Sequence, residues 1–294
     1  MEDGETVFLS SIFYPLSSIF HPRYFNGGAL LSLYFRLIGA RIRAQMQYKI
    51  SFWLDLLGFA IVTTLEFVLI AIMLARFQTI AGWTIAEVAL LYGLTAVAFG
   101  LAEMVARGFD APFERMMQQG TFDSLLTRPL GSFFQVLASE FQLMRMGRTL
   151  QGGAALAYAC VRLPIAWTPA KLLLMPLTIL SGATIYVGLL VIGATICFWT
   201  IKTPEVINAF TFGGEELTSY PLSIYNRWMR GVFLYLIPLG FANYPAALLL
   251  LGRSDPYGLP AWLAWLAPLV AGLFFSAALA FWRLGVSKYT STGS

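Results

Sequence analysis

A chain of 294 residues with 58% hydrophobic and only 12% charged side chains carries about half the charge of a typical soluble surface, roughly 25%, which excludes a water-facing globular domain. The net charge of +4 is spread between apolar segments rather than gathered into a patch. That pattern argues against nucleic acid and for an orientation signal in a membrane.

Residues 1–28 read as a cytoplasmic leader. Glu2, Asp3 and Glu5 stand where a secretory signal has cations, and Pro15, Pro22 and Gly27-Gly28 interrupt the remainder of it. Residues 29–49 then form an amphipathic helix. Leu31, Phe35, Ile38, Ile42 and Met46 make one stripe, with Arg36, Arg43 and Gln47 largely on another face and Arg41 beside the stripe. A basic amphipathic helix before a span lies in the membrane interface or simply extends that span.

The first span is expected at 52–75, with Asp55 near its start and Glu66 deep inside. The second, 85–106, has Glu87 and Glu103 near its ends. A charged segment, 107–148, comes next. The third, 146–166, has an uncharged core only from 149 to 161, between Arg148 and Arg162, whose long side chains can snorkel outward. The fourth, 172–201, is uncharged. The last, 261–282, has Trp262, Trp265 and Trp282 at its two ends, as an interfacial belt requires. Residues 286–294 are a short cytoplasmic tail.

One further crossing between 202 and 260 gives six spans. Two segments compete for it. Residues 203–223 hold Glu205, Glu215 and Glu216. Residues 232–251 are more apolar but contain Pro238, Gly240, Asn243 and Pro245, and backbone broken that often must be shielded from lipid within protein. With both termini inside and 203–223 as the span, only Arg76, Arg162, Lys171, Arg227, Arg230 and Arg253 lie outside. The alternative moves Arg227 and Arg230 inside. Both satisfy the positive-inside rule, so it sets orientation without choosing between them.

The chemistry of an enzyme is missing. The one histidine, His21, sits in the leader, so a histidine base or paired metal ligands inside the membrane cannot be built. Cys160 and Cys197 fall in apolar segments as small hydrophobes. Neither a Gly-x-Ser-x-Gly elbow nor a phosphate loop occurs, so ATP hydrolysis is not expected on this chain. What remains is a set of acids near or in hydrocarbon. Glu66, Glu215 and Glu216 are the candidates for a substrate pathway. Glu66 either meets a cationic substrate or pairs with an Arg of a neighbouring helix. Glu87 and Glu103 read as structural groups at span ends.

The stretch 107–131 holds two short helices. Asp110 is placed to cap one that starts with Ala111-Pro112 and ends at Gly120. Thr121 or Asp123 is placed to cap a second that stops before Pro129. Phe122, Leu125 and Leu126 make a compact apolar face suited to docking in a groove of another protein.

The sequence of that second helix, GTFDSLLTRPL from Gly120 to Leu130, resembles the cytoplasmic loop of small ABC exporter permeases of the type-2 class. It is similar in particular to the bacterial subgroup described as viologen-exporter-like. Residues 220–252 resemble the pattern after that class's fifth span: Pro-x-Ser, an Arg, a Pro, then an apolar run ending in Gly. The resemblance covers about 29–285. It implies an all-α polytopic protein of six transmembrane helices in the bacterial cytoplasmic membrane, with 203–223 as the fifth span. An N-terminal interface helix, a coupling helix and short re-entrant outer helices at 224–251 complete the implied fold. It implies that Arg36, Arg43, Phe122, Asp123, Leu125, Leu126 and Arg128 contact a separate ATP-binding cassette subunit, which carries the ATP and Mg. Two permease chains, identical or paralogous, would pair in the bilayer and export a hydrophobic or cationic compound. The competing reading is an ion- or proton-coupled carrier or channel that uses Glu66.

Overall fold

The computed structural model describes residues 27–47, 82–203 and 205–290, with scattered helical positions between 50 and 72 and the strand residues 79 and 80. Residues 1–26 of the leader and Glu66 lie outside the described residues.

Helix α1, Gly27–Gln45, is the amphipathic helix. Arg36, Arg41 and Arg43 are exposed, and Ile38 and Ile42 are half-buried. Tyr34 meets Phe134 with ring centroids 6.1 Å apart, and Gln45 donates to the Phe141 carbonyl and accepts from the Leu143 N–H. At and within the expected first span, Ile50, Trp53, Leu54, Leu57, Ile61 and Leu65 are helical and exposed.

A two-residue hairpin, β1 Thr79–Ile80 with β2 Trp83–Thr84, turns through Gly82 at a φ of 79°. It leads into α2, Ile85–Ala106. Thr84 and Glu87 form a capping box at its start, the Thr84 N–H donating to Glu87 Oε2 at 2.7 Å. Helix α2 is apolar all round and buried along most of its length, so it is the central post of the bundle. A turn at Arg107–Phe109 carries it into α3, Ala111–Gln118, followed by α4, Asp123–Leu126, and α5, Ser132–Ser139.

Helix α6, Met146–Arg162, returns along α2 through small residues. A Cβ on Gly152 would lie 2.8 Å from Ala96 Cβ and 2.9 Å from Val97 N, and one on Gly93 would lie 2.9 Å from the Gly152 carbonyl. Close backbone approach of this kind supplies dispersion contact where lipid removes any hydrophobic drive between helices. Helix α7, Pro169–Thr200, starts at a Thr168 cap and stops at Ile201, whose φ is 64°. Helix α8, Glu205–Thr218, comes next.

The segment after α8 is broken as its prolines dictate. It runs through α9 at Arg227–Gly231, a π turn at Val232–Leu236, a 3-10 turn at Pro238–Ala242 and α10 at Tyr244–Leu251. Residues 232–251 are therefore not one helix. Pro238 to Leu248 are packed within protein, while Tyr235 and Leu236 are exposed. A 3-10 turn at Ala261–Leu266 leads into the last helix, α11, Ala267–Lys288.

Three helical stretches among the described residues are long and apolar enough to cross a bilayer: Ile85–Gln118, Pro169–Thr200 and Ala261–Lys288. At 1.5 Å per residue, the 32 residues of α7 reach about 48 Å, beyond a ~30 Å hydrocarbon core. The 17 residues of α6 reach only about 26 Å and the 14 of α8 less, and both carry charge. The chain is thus a multi-pass, essentially all-helical membrane protein. Its apolar interior has two parts: a large cluster where α2, α7 and the broken segment meet, and an aromatic one at the C-terminal ends of α7 and α11.

The α2–α6 contact gives a test with an internal control. Gly152→Val should lower the unfolding temperature in detergent, an overpacking cost of about 1–3 kcal/mol. Gly153→Val, where an added Cβ meets nothing within 4 Å, should change it little. Equal effects would contradict close packing at Gly152.

Candidate functional site

The densest chemistry lies where α2 ends and α6 begins. The Glu103 side chain is fully buried. Its carboxylate accepts from Arg107 Nη1, one helical turn on, at 3.2 Å and from Arg145 Nη1 at 3.2 Å, with Arg148 Nη1 at 3.8 Å. Arg107 also pairs with Asp110. Arg148 reaches Glu215 of α8 at 3.5 Å and stacks over the Phe99 ring, 5.2 Å from its centroid. Arg145 and Arg148 stand at the N-terminal end of α6, where the helix dipole disfavours cations. The buried acid compensates for that placement. Removing an ion from water costs several kcal/mol unless it is well paired, so these groups bind α2, α6 and α8 at one point.

A second polar node is neutral. Asn243, buried at the break between Ala242 and Tyr244, donates to Thr95 Oγ1 at 2.7 Å and to the Thr218 carbonyl. The Tyr186 hydroxyl meets Thr218 Oγ1 at 3.0 Å. These contacts tie α2, α7 and α8 to the broken segment. The prolines 238 and 245 bend the chain, and Asn243 spends its donors on carbonyl and hydroxyl acceptors that lipid cannot satisfy.

A third node is at the far end of the bundle from Glu103. Arg230 Nη2 donates to Asp255 Oδ2 at 2.8 Å, and the Arg230 Cζ lies 4.1 Å from the Tyr257 ring centroid. The Tyr244 hydroxyl and the N–H groups of Tyr257 and Leu259 also donate to Asp255. Burial alone would raise the Asp255 carboxyl; the Arg230 guanidinium, the phenol and the backbone donors outweigh it and hold the carboxyl below its ordinary range. The Tyr244 hydroxyl is pushed up by burial and by that same carboxylate. Nearby, Arg253 pairs with Glu87 at 2.9 Å and covers the Trp83 ring.

The loop of 107–130 departs from the sequence expectation in three ways. Asp110 makes no side-chain cap for α3; its carboxylate goes to Arg107 instead. Neither Thr121 nor Asp123 caps α4, whose cap position is Phe122 without a side-chain bond. The expected apolar face is divided. Phe122 and Leu125 are buried and Leu126 is 45% exposed. Phe122 sits among Phe113, Phe198, Trp282 and Tyr289, with centroids between 5.1 and 6.5 Å. Gln135 donates to the Leu125 and Leu130 carbonyls, and Glu114 accepts from the Thr203 N–H. The loop is therefore fastened to the C-terminal ends of α7 and α11, and its exposed surface includes Ser124, Leu126, Thr127 and Arg128, with Asp123 half-buried.

Of the other sequence candidates, Glu215 is buried against Arg148 and Glu216 is exposed. Arg36 and Arg43 are exposed on α1. Glu103, by its position an ordinary span-end acid, is instead the centre of the charge cluster. The signal available in the sequence is its i, i+4 spacing to Arg107. Asn243 is visible in the sequence only as a helix breaker.

The charge cluster can be tested by a thermodynamic cycle. Glu103→Gln should cost about 3–5 kcal/mol, because Arg107, Arg145 and Arg148 lose the buried acid they share. Adding Arg148→Gln should recover about 0.5–3 kcal/mol of that loss. Strict additivity in the unfolding temperatures would show that the two groups are not coupled.

No curated protein and no solved structure matches the chain. A family model described as "ABC-2 family transporter protein" matches residues 60–293. That range holds the three helical stretches that are long and apolar enough to cross a bilayer among the described residues, the Glu103 cluster and the 107–130 loop, and it is most of the sequence. The chain therefore belongs to the ABC-2 family of transporter proteins.

Proposed function

We propose that this chain is the membrane permease of an ATP-driven exporter. It moves a hydrophobic or cationic compound outward while a separate ATP-binding cassette subunit binds Mg-ATP and hydrolyses it. Family membership supports this over a carrier coupled through Glu66. The supporting sequence resemblance is to the viologen-exporter-like subgroup.

The observation that carries the reading is how the inner loop is held. Phe122 and Leu125 root it in the aromatic cluster between α7 and α11, while Leu126 and Arg128 project outward. A partner that grips the outward side would move the inner ends of two long helices with it. Arg36 and Arg43 of α1 add a basic surface for the same partner. In this reading both termini are cytoplasmic in a bacterial inner membrane, and six spans include α6 and α8 despite their length. A second permease chain completes the pathway. Glu66, Glu215 and Glu216 are its candidate acids. Glu215 is engaged by Arg148, so a cationic substrate would compete with that guanidinium.

Leu126→Asp should reduce ATP-driven export at least about tenfold, the equivalent of ~1.4 kcal/mol of lost docking, while leaving thermal stability unchanged. Phe122→Ala should instead lower stability by about 3–5 kcal/mol. Unchanged export and unchanged ATPase association for Leu126→Asp would remove the docking assignment.

The orientation has its own check. In a variant with Cys160 and Cys197 replaced, Arg227→Cys should react with a membrane-impermeant thiol reagent added to intact cells. Reaction only after permeabilisation would contradict α8 as a crossing element.

A further inference from the structure

A cavity of about 260 Å³ lies where the inner end of α11 passes the start of α5. Gly131, Ser132 and Phe133 form one side, and Trp282, Arg283 and Val286 the other. Its lining holds one cation and no carboxylate.

Three sets of donors meet there without acceptors. Helix α5 has eight residues, no side-chain cap and no acid in its first turn. The N–H groups of Ser132 and Phe133 thus have no helical acceptor, and among the described residues no other acceptor takes them. Trp282 is 2% exposed and its Nε1 has no hydrogen-bond partner. Arg283 Nη2 is likewise buried without a partner. Natural proteins rarely leave such groups unmet, and charged ones least of all. The demand is for an anion with several acceptor oxygens, and a helix N-terminus beside a guanidinium suits a phosphate.

A second cavity, of about 390 Å³, shares Phe133 with the first. Leu101, Val105, Leu137, Leu180, Val187 and Phe275 make its wall mostly hydrocarbon. The hydroxyl that it contains, on Thr184, is already donated to the Leu180 carbonyl. Leu180 is 61% exposed, so the groove opens outward. Phe275 lies two turns before Arg283 on the same helix, about 12 Å deeper. A free phosphate or a partner's acidic side chain would leave this groove empty.

We infer that the two cavities together bind one anionic phospholipid. Its phosphate is held by Arg283, Trp282 and the α5 N-terminus, and an acyl chain lies along the groove between α2, α5, α7 and α11. This rests on the membrane-embedded reading, in which the end of α11 lies at the cytoplasmic leaflet. The lipid would brace the aromatic cluster that seats the inner loop, so export would depend on anionic lipid.

The test is thermal unfolding of the purified full chain in a neutral detergent, with added phosphatidylglycerol, phosphatidylcholine or inorganic phosphate. Phosphatidylglycerol should raise the unfolding temperature by roughly 4–8 °C at saturation, and the other two by much less. Arg283→Gln should reduce the phosphatidylglycerol rise to that of phosphatidylcholine. Leu137→Trp, which fills the groove, should do the same and carries the test if Arg283→Gln fails to fold. An undiminished rise in both variants, or a full rise with inorganic phosphate or phosphatidylcholine, would overturn the site. A chain that stays monodisperse without detergent would instead overturn the membrane reading, whatever the lipids do.

Discussion

The end of the bundle where α2 meets α6 depends on one buried carboxylate. Glu103 lies among Arg107, Arg145 and Arg148 with no exposure of its side chain. Without it, three guanidinium groups would converge at the positive end of α6, in surroundings that solvate charge poorly. With it, the start of α6 is pinned to the end of α2, and the glycine contacts at 93 and 152 then set how closely the two helices run. Arg148 extends the same cluster to Glu215 and so to α8.

The other polar contacts obey the same logic elsewhere in the bundle. Asn243 meets acceptors on α2 and α8 where prolines break the chain, and Asp255 gathers Arg230, Tyr244 and two backbone N–H groups at the far end. Each node pairs its main charges or donors locally, though Arg107 Nε, Asn243 Oδ1 and Arg230 Nη1 stay buried without a hydrogen-bond partner, and apolar packing fills the space between. The 107–130 loop adds a mechanical link. Its aromatic root, Phe122, lies against Trp282 and Phe198, while Asp110 at its start is tied through Arg107 to Glu103. A push on the exposed side of the loop therefore reaches α11 and α7 through rings and α2 through charge. In the proposed exporter, that is the route by which a motor outside the membrane moves helices within it.

Much of the architecture is legible in the sequence because hydrocarbon permits few solutions. Apolar runs mark α2, α7 and α11, and the spacing of Phe35, Ile38 and Ile42 marks α1. The cluster of Pro238, Gly240, Asn243 and Pro245 announces a broken segment, and the structure breaks there. Helices α6 and α8 are harder to judge as spans, since Arg148, Arg162 and Glu215 lie within them and length alone does not carry them across. The site is less legible. Local pattern puts Phe122, Leu125 and Leu126 on one apolar face, but which of them turns inward depends on rings from α7 and α11 that are distant in sequence. Asp110 has the neighbours of a cap, yet Arg107 outcompetes the backbone for its carboxylate. Glu103 acquires its meaning from Arg145, 42 residues away, a pairing that only the fold creates.

In the proposed exporter this chain forms a path and takes its energy from another protein. The decisive experiment is export and ATP turnover in proteoliposomes, with this chain alone and with an ATP-binding cassette subunit added. Neither activity should come from the chain alone, and both should appear when the subunit is present. ATP hydrolysis by the chain alone, or transport driven by an ion gradient in the absence of that subunit, would refute the division of labour.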